Sequence, residues 1–521
     1  MNMTLGDVSA RRASVRRRPS TRRRRAVLAL AILASLLAAG CAVGPDFRKP
    51  GAPAVDGYTA QPPAPTVGNA NVPGGEAQHF SPGGDLPADW WTLFHSAALN
   101  ALVEQSLHSN PDLEAAQAAL TVARENTLAG KGSKFPAVTV GMSASRQQDP
   151  PGALAPVPSN NAFLYNLFTP QVSVSYAPDV FGLNRRNVES LQAQEQAVRF
   201  QTIATQVTLT ANVVVAAIQQ ASLQAQVDAT RRMIDANTRM LGILHYQSAK
   251  GYAGRLDVAA QESQLAQVTA TLPPLLRQLA QQHDQLAVLT GQFPSQLPDG
   301  KLPLSSLHLP QDLPLSLPST LVAQRPDVRQ AEANMHAASA QVGVAIANRL
   351  PNISLTGNAG STALAMGQLF KTGTGFWNLG ADLAAPVFQG GTLRHQERAA
   401  KAAYAQASAQ YRSTVLTAFQ NVADTLAALE HDAEALKTAA NAADAAKVTL
   451  DLSQRQWKDG YAAYLSVLSA EQAYQQTQID LVQAQANRYV DTAALYQALG
   501  GGWWHDGDIA HAASTRDADE K

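Results

Sequence analysis

Residues 411–436 read YRSTVLTAFQNVADTLAALEHDAEAL, and the spacing of their apolar side chains decides the fold. These side chains recur at steps of four, three and seven, the a/d spacing that lets neighbouring helices pack knobs into holes. The surrounding stretch from Thr392 to Leu499 contains no proline and a single glycine, Gly460. Gly460 is therefore predicted to separate a helix of about 67 residues from a return helix of about 39 residues. The apolar positions are Val415, Phe419, Val422, Leu426, Leu429 and Leu436.

The same order of motifs occurs twice along the chain. Lys250-Gly251-Tyr252-Ala253 returns as Asp459-Gly460-Tyr461-Ala462 at an offset of 209 residues. Asn110-Pro111-Asp112 returns as Arg325-Pro326-Asp327 at an offset of 215 residues. Two offsets that differ so little indicate one architectural unit built twice.

The first copy is accordingly predicted to contain a long helix from Leu183 to Ala249 and a return helix from Arg255 to Leu289. Pro273 and Pro274 fall inside this return helix. A proline there removes a hydrogen bond and bends the helix, so the two hairpins are not expected to be identical.

Four short segments alternate between apolar and polar residues, as strands do. Each has the length and the two faces of a tilted strand that crosses an outer membrane, although a half-buried sheet in a soluble protein fits each segment alone equally well. Four strands cannot close a barrel in lipid, so several chains would have to share one barrel. The predicted strands cover about 137–146, 170–178, 352–360 and 376–385.

The N-terminus has the features of a bacterial export signal. Nine arginines precede an apolar run that ends in Leu37-Ala38-Ala39-Gly40-Cys41, and this run is too short to span a bilayer. Cys41 is the only cysteine, and its position resembles that of the lipid-modified cysteine in a lipobox. The alternative is an ordinary cleaved signal with an incidental thiol.

Charge argues against a nucleic-acid partner. The whole chain has 40 basic and 40 acidic residues, and removal of residues 1–40 leaves a net charge of −8. Nucleic-acid binding needs a clustered basic face instead. We find no catalytic constellation, no phosphate-binding loop of the required spacing and no histidine pair at ligand spacing, so neither a cofactor nor a metal nor an enzyme activity is expected.

These features predict six segments along the chain. Trp503 and Trp504 are the expected anchor of the last one. The segments are a lipoprotein signal peptide (1–40), a lipid-anchored extended tether (41–95), the first repeat (96–300), a Pro-rich linker (301–318), the second repeat (319–500) and a polar tail (501–521).

Several motifs together resemble the outer membrane factors, the TolC-like channels, and in particular their lipoprotein NodT branch. They are the segment that starts Cys41-Ala42-Val43-Gly44-Pro45, the paired Asn/Arg-Pro-Asp motifs, Asp179-Val180-Phe181-Gly182, and Pro386-Val387-Phe388-Gln389-Gly390-Gly391. The resemblance implies a mainly α fold with four long coiled-coil helices. It implies a homotrimer, in which each chain gives four strands to a 12-stranded β-barrel continuous with a periplasmic α-barrel. It also implies a periplasmic adaptor protein and an inner-membrane pump, usually of the resistance-nodulation-division type.

The resemblance further implies a gate at the periplasmic turns, where the family places aspartates on the second return helix. Ser466 and Ser469 stand at those positions here, so an acidic constriction would have to come from Asp257, the repeat equivalent of Ser466, or from Asp459. The alternative is that these side chains only cap and solvate the turns. The gate candidates are Arg255, Asp257, Asp459, Tyr461, Tyr464, Ser466 and Ser469. The turn residues Gly251, Gly254 and Gly460 are candidates for adaptor contact, because bare backbone permits close approach.

The function predicted from these observations is that of an outer membrane channel of a tripartite efflux pump, anchored by lipid and extending into the periplasm. Two alternatives remain open at this point. One is the outer channel of a type I protein-secretion system, and the other is a lipid-anchored coiled-coil scaffold without a pore.

Overall fold

The computed structural model describes residues 42–69, 72–150, 152, 163–298, 300 and 302–507. Cys41 and the predicted signal peptide lie outside these residues, as does the tail beyond residue 507. The described chain forms two compact units. The strand unit comprises residues up to Pro45, Lys131–Val188 and Ala340–Ala400, and the helical unit comprises Asp46–Gly130, Glu189–Ser339 and the residues from Lys401 onward.

The strand unit is built on a four-stranded antiparallel sheet. In spatial order its strands are β2 (Ala137–Gln148), β3 (Leu164–Tyr176), β5 (Asn352–Ser361) and β6 (Gly375–Ala384). Each predicted segment overlaps one of these strands, but β3 begins six residues earlier and ends two residues earlier than expected. Pro170 lies inside β3. The ladder between β3 and β5 runs only from Gln171 to Tyr176, so the missing N–H of Pro170 breaks no hydrogen bond with β5.

The register gives the sheet one apolar and one polar face. Val138 lies opposite Val174, and Val140 lies opposite Val172, so the four valines share a face. The same face carries Leu379, which is 80% exposed. The opposite face carries short polar side chains, among them Thr139, Ser173, Ser175, Thr356 and Asn378. An exposed apolar face is unfavourable in water and favourable against lipid.

Two edges of this sheet are open. Among the described strands, β2 pairs only with β3, and β6 pairs only with β5. Each edge therefore presents a row of backbone N–H and C=O groups that lipid cannot satisfy. In a membrane these edges need strands from further copies of the chain.

The helical unit holds most of two long hairpins of equal length. Hairpin 1 consists of α3 (Leu183–Ala249) and α4 (Arg255–Leu289), with 67 and 35 residues. Hairpin 2 consists of α7 (Thr392–Lys458) and α8 (Tyr464–Ala498), again with 67 and 35 residues. All eight helix ends obey the offset of 209 residues. The return helix of hairpin 2 is thus four residues shorter than expected, and α4 remains one helix through Pro273 and Pro274.

Shorter helices precede each hairpin and repeat in the same way. One helix of each copy starts at its proline motif, at Pro111 and at Pro326, because proline suits the first turn of a helix. Asn110 Nδ2 donates to Leu289 O at 3.0 Å, and at the equivalent place Arg325 Nη1 donates to Ala498 O at 2.9 Å. Each copy thus ties the start of a short helix to the end of its return helix. The short helices are α1 (Ala97–Ser109), α2 (Pro111–Gly132), α5 (Pro318–Gln324) and α6 (Pro326–Ala347).

The core of the helical unit contains the seam that the sequence predicts. Val422, Leu426 and Leu429 are buried in one cluster with Trp90 and Tyr496. Removal of such side chains from water is the main stabilising contribution to the fold.

Residues 46–88 differ from the predicted extended tether, because they belong to the helical unit. Strand β1 (His79–Pro82) pairs in parallel with β4 (Asp312–Leu315), which lies in the predicted linker. Thr66, Gln78 and Leu86 are buried. The Pro- and Gly-rich composition predicted an extended segment whose backbone is exposed to solvent. Its backbone groups in β1 instead form hydrogen bonds with β4, which is distant in the sequence.

Candidate channel gate and membrane anchor

Both hairpins turn through a glycine in the left-handed region. Gly251 has φ +81° and Gly460 has φ +79°, and no atom would contact a Cβ at either position. The next residues, Tyr252 and Tyr461, are 85% and 87% exposed. Glycine is therefore required here by the backbone conformation and not by crowding.

On the return side of hairpin 1, Asp257 caps its helix. The backbone N–H of Gly254 donates to Asp257 Oδ2 at 3.2 Å, which satisfies a donor at the start of α4. Arg255 beside it is exposed. The structure thus gives Asp257 the role of a cap within its own turn.

On the return side of hairpin 2, Ser466 and Ser469 are exposed on α8. Ser469 Oγ donates to Leu465 O at 3.0 Å within its own helix. Asp459 is exposed in the turn. Within this chain, none of these three side chains links one hairpin to the other in the described contacts.

Tyr464 is the gate candidate that links the hairpins. It is 3% exposed, and its hydroxyl donates to Oε1 of Gln261 on α4. Gln261 Nε2 in turn donates to Asn237 O at 3.0 Å and to Asn237 Oδ1 at 2.9 Å on α3. Burial raises the pKa of Tyr464, and the carboxylates of Glu471 and Asp257 raise it further. The hydroxyl therefore stays protonated and can donate at any physiological pH.

A second set of contacts beside Tyr464 was missed by the sequence analysis. Gln472 Nε2 donates to Gln264 Oε1 at 2.6 Å, and Gln264 Nε2 donates to Gln475 Oε1 at 3.2 Å. Together with the Tyr464 contact they join α8 to α4 by amide groups, and we call Asn237, Gln261, Gln264, Gln472 and Gln475 the amide ladder. Glutamine is abundant along all four helices, so composition alone could not single these residues out.

Farther along α8 from the turn, a buried arginine forms hydrogen bonds with the N-terminal segment. Arg488 has no exposed surface, and it donates to Leu429 O at 2.9 Å and to Glu76 O at 3.1 Å. Burial, followed by a hydrogen bond shared with Asp432, raises the pKa of Asp491 to about 7. The carboxyl groups of Asp491, Asp432 and Glu76 act electrostatically on the guanidinium, so the cluster combines one cation with carboxyl groups from three segments.

In the strand unit, the residues that follow Cys41 are clipped to the start of α3. Val43 N–H donates to Phe181 O at 3.1 Å, and Arg186 Nε donates to Val43 O at 3.1 Å. Gly44 has φ +99°, and a Cβ there would clash with Gly343 Cα. The clip consists of Ala42, Val43 and Gly44, and it lies in the same unit as the sheet.

The described residues contain no group of three His, Cys, Asp or Glu side chains that could hold a metal ion. Of the described helices, only α3 includes an apolar stretch long enough to cross a membrane, and 56% of that stretch is buried in the protein. A half-buried stretch of this kind is typical of a packed core helix. The sheet is therefore the membrane-facing element that the geometry supports.

A sheet with a lipid-compatible face and open edges, in one chain with two long helical hairpins, defines a channel-forming outer membrane protein. The family model for outer membrane efflux proteins matches residues 102–292 and 317–501. The chain belongs to this family. Proteins of the family form trimers and work in tripartite pumps with an adaptor and an inner-membrane transporter, and this chain is the outer membrane channel of such a pump.

Relatives of known name align with this chain over most of its length. The toluene efflux pump outer membrane protein TtgC of Pseudomonas putida is 30% identical over 486 residues, which cover 92% of this chain and 96% of the relative. The pyoverdine export outer membrane protein OpmQ of the same species is 29% identical over 453 residues, which cover 85% and 95%. Among solved structures, the outer-membrane channel OprN superposes with a TM-score of 0.79 at 28% identity, covering 89% of this chain and all of that one.

Proposed function

We propose that this chain is a lipid-anchored outer channel that passively conducts what a resistance-nodulation-division transporter and its adaptor deliver. The observation that carries the proposal is the four-stranded sheet with one exposed apolar face and two open edges. Three copies joined at these edges give 12 strands, which is enough to enclose a lumen, whereas one copy is not.

The lipid anchor is proposed at Cys41, directly after the signal peptide of residues 1–40. The clip supports it, because Ala42–Gly44 are held against Phe181 and Gly343 in the unit that carries the membrane strands. A diacylglyceryl group and an amide-linked acyl chain on Cys41 would then insert beside the barrel. Cys41→Ser is expected to leave trimers intact but less firmly attached, and uptake of radiolabelled lipid by this variant would contradict the anchor.

The proposal also includes the class of the inner-membrane transporter, the resistance-nodulation-division type. The NodT-like motif around Cys41 supports it, because the resemblance implies a pump that is usually proton-driven and of this type. Two relatives of similar identity are named for different cargoes, toluene and pyoverdine, which supports a channel that takes its cargo from the transporter. A strain that lacks this chain should regain efflux when the chain is coexpressed with a pump of that class, and restoration only with an ABC exporter would favour the secretion alternative.

The gate is proposed at the link between Tyr464 and Gln261. The tyrosine hydroxyl is the buried donor that ties α8 to α4 near the turns, whereas Arg255, Asp459 and Tyr461 are exposed. Opening requires the hairpins to separate, which breaks the hydrogen bond from Tyr464 to Gln261. The loss of this bond leaves the buried Oε1 of Gln261 without a donor, and this cost favours the closed state. Asp257 assists by capping α4, and its carboxylate also acts on Tyr464.

Adaptor contact is proposed at the two turns, through Gly251, Gly254 and Gly460. The exposed rings of Tyr252 and Tyr461 flank two of these glycines. Large exposed aromatic side chains are typical anchors of protein interfaces. Two turns per chain give a trimer six similar contact points for helical tips of the adaptor.

The test is the conductance of purified trimers in planar bilayers. We expect Tyr464→Phe to raise the single-channel conductance, because it deletes one hydroxyl and keeps the ring. Tyr461→Phe is the matched control, since the same hydroxyl is removed from a side chain that is 87% exposed. A larger effect of the control would move the gate to Tyr461, and absence of trimers or of conductance would overturn the channel proposal itself.

A further inference from the structure

Glu471 is a buried carboxyl group that the proposed gate does not yet use. It lies on α8 next to Gln472 of the amide ladder and is 7% exposed. One of its oxygens accepts a hydrogen bond from Gln454, and Oε2 has no hydrogen-bond partner among the described residues. A buried carboxylate without a counter-ion is unfavourable, so burial disfavours the ionised form of Glu471 relative to the neutral form.

The repeat supplies an internal reference for this residue. At the offset of 209 residues, Glu471 corresponds to Glu262, and its partner Gln454 corresponds to His245. Glu262 is 54% exposed and lies 3.6 Å from His245 Nε2. Hairpin 1 therefore keeps this carboxylate in solvent beside an ionisable ring, whereas hairpin 2 buries it beside a neutral amide.

Glu471 also faces a cavity of about 250 Å³ between α3, α7 and α8. Arg232 on α3, which is exposed, is the only other charged side chain among the described residues that line it. On α7 the cavity meets Leu450 and Gln454, which carry no charge, and on α8 it meets Tyr474. Tyr464 lies near enough to feel the charge of Glu471.

We propose that Glu471 is a protonation switch of the gate: its neutral form fits the closed hairpins, and its ionised form favours their separation. The proposal rests on the proposed gate at Tyr464. Ionisation sends the proton to bulk water and leaves a carboxylate that needs solvation, which the cavity provides only when α8 moves away from α3 and α7. Because Gln472 is adjacent on α8, such a movement also strains the amide ladder.

The direction of the pH dependence follows from burial, which raises the pKa of Glu471. A raised pKa means that the closed form gains its full advantage below the ordinary glutamate pKa and loses it as pH rises through the pKa of the closed form. The open-to-closed ratio is therefore expected to increase with pH, by up to about tenfold per pH unit for each subunit.

The experiment measures single-channel conductance and open time of full-length trimers in planar bilayers between pH 4.5 and 8. The wild-type channel should open more as pH rises. Glu471→Gln should stay mostly closed and lose the pH dependence, and Glu262→Gln, the matched control in hairpin 1, should keep it. Gln454→His gives Glu471 the partner that hairpin 1 has, so the pH response should shift to lower pH.

A pH response of Glu471→Gln equal to that of the wild type would overturn the switch, as would a wild-type channel that is insensitive to pH. If Tyr464→Phe raises conductance in the same series, the gate stands and the switch alone fails. If no variant affects conductance, the gate proposal fails as well. Should Glu471→Gln fail to form heat-modifiable trimers, an unshifted response of Gln454→His would contradict the switch by itself.

Discussion

Hairpins 1 and 2 have the same backbone plan but different chemistry on their return helices. Their helix lengths are equal, and both turns use a glycine with φ near +80°. Hairpin 1 places Arg255 and the cap Asp257 where hairpin 2 places the buried Tyr464 and the exposed Ser466. Duplication thus fixes the backbone, whereas substitutions at equivalent positions give Asp257 a contact within its own turn and Tyr464 a contact with the other hairpin.

The largest expected effect lies at Arg488, whose equivalent in hairpin 1 is Leu279. Arg488→Met leaves the carbonyl oxygens of Leu429 and Glu76 without their donor and Asp491 without its cation. We expect a loss of about 2–6 kcal/mol in the free energy of unfolding, because each buried acceptor left without its donor costs about 1–3 kcal/mol. Urea unfolding followed by circular dichroism measures it.

Leu279→Met is the control for that substitution, since it changes shape without changing volume and should cost less than about 1.5 kcal/mol. Equal losses in the two variants would show that the arginine cluster contributes no more than ordinary packing.

The next effect is the pH dependence of stability at Asp491, for which hairpin 1 has the neutral Gln282. The pKa of Asp491 is raised from 3.8 to about 7, so its stabilising contribution is complete below pH 3.8 and is lost as pH rises through 7. The full shift corresponds to about 4 kcal/mol, and because the carboxyl is partly exposed we expect about half of it.

Asp491→Asn should therefore flatten the fall in unfolding free energy between pH 4 and 8, whereas Asp444→Asn, at an exposed site on α7, should not. A wild-type protein whose unfolding midpoint rises over this range would contradict the assignment.

A smaller and symmetric effect is expected at the turns. Gly251→Val and Gly460→Val each force a β-branched residue into the left-handed region, at about 1–2 kcal/mol. Since both turns are free of neighbouring atoms, the two losses in thermal stability should be equal. Gly242→Ala, inside α3, should instead stabilise by up to about 1 kcal/mol. Clearly unequal losses would show that the two turns are not equivalent, although both glycines have the same backbone conformation.

The smallest effect distinguishes the caps. Asp257→Ala removes the acceptor for Gly254 N–H and should lower the free energy of unfolding by about 0.5–1 kcal/mol. Ser466→Ala, at the equivalent and exposed position, should change it by less than about 0.5 kcal/mol. Thermal melts give the difference, and conductance of the same variants shows whether Asp257 also affects the gate. A greater loss at Ser466 would indicate a contact made only between chains.

Much of the fold could be predicted from the sequence because each helix of a hairpin occurs in both copies of the repeat. Both ends of α3 and α4 follow from the motifs around Gly251 and from the absence of helix breakers in the second copy. The start of β3 could not be predicted, since the alternation fails between Leu164 and Pro170 and the strand there is held by pairing with β2. Strands β1 and β4 were missed because four residues in a proline-rich segment carry no periodicity.

The candidate site was less predictable for a physical reason. Tyr464 was identified as a candidate because it follows the Gly460 turn, where the resemblance places the gate. Its burial comes from packing against Trp457 and Gln261, which the sequence does not show. Glu471 and Arg488 were not identified as candidates, because nothing in the sequence distinguishes them from other charged residues in a helix rich in Gln and Ala. Whether a charged residue on a long helix faces solvent or another helix depends on which helices become neighbours, and that is a property of the tertiary structure.

The pairing of β1 with β4 has a consequence for the order of events during export. Gln78 Nε2 donates to Pro310 O at 2.9 Å across 232 residues of chain, beside the strand pair. A polypeptide that emerges into the periplasm with its N-terminus first must therefore hold this early segment unpaired until the second half arrives. Closure of so long a loop is slow compared with helix formation. In the newly exported chain, the helical hairpins therefore form before β1 pairs with β4.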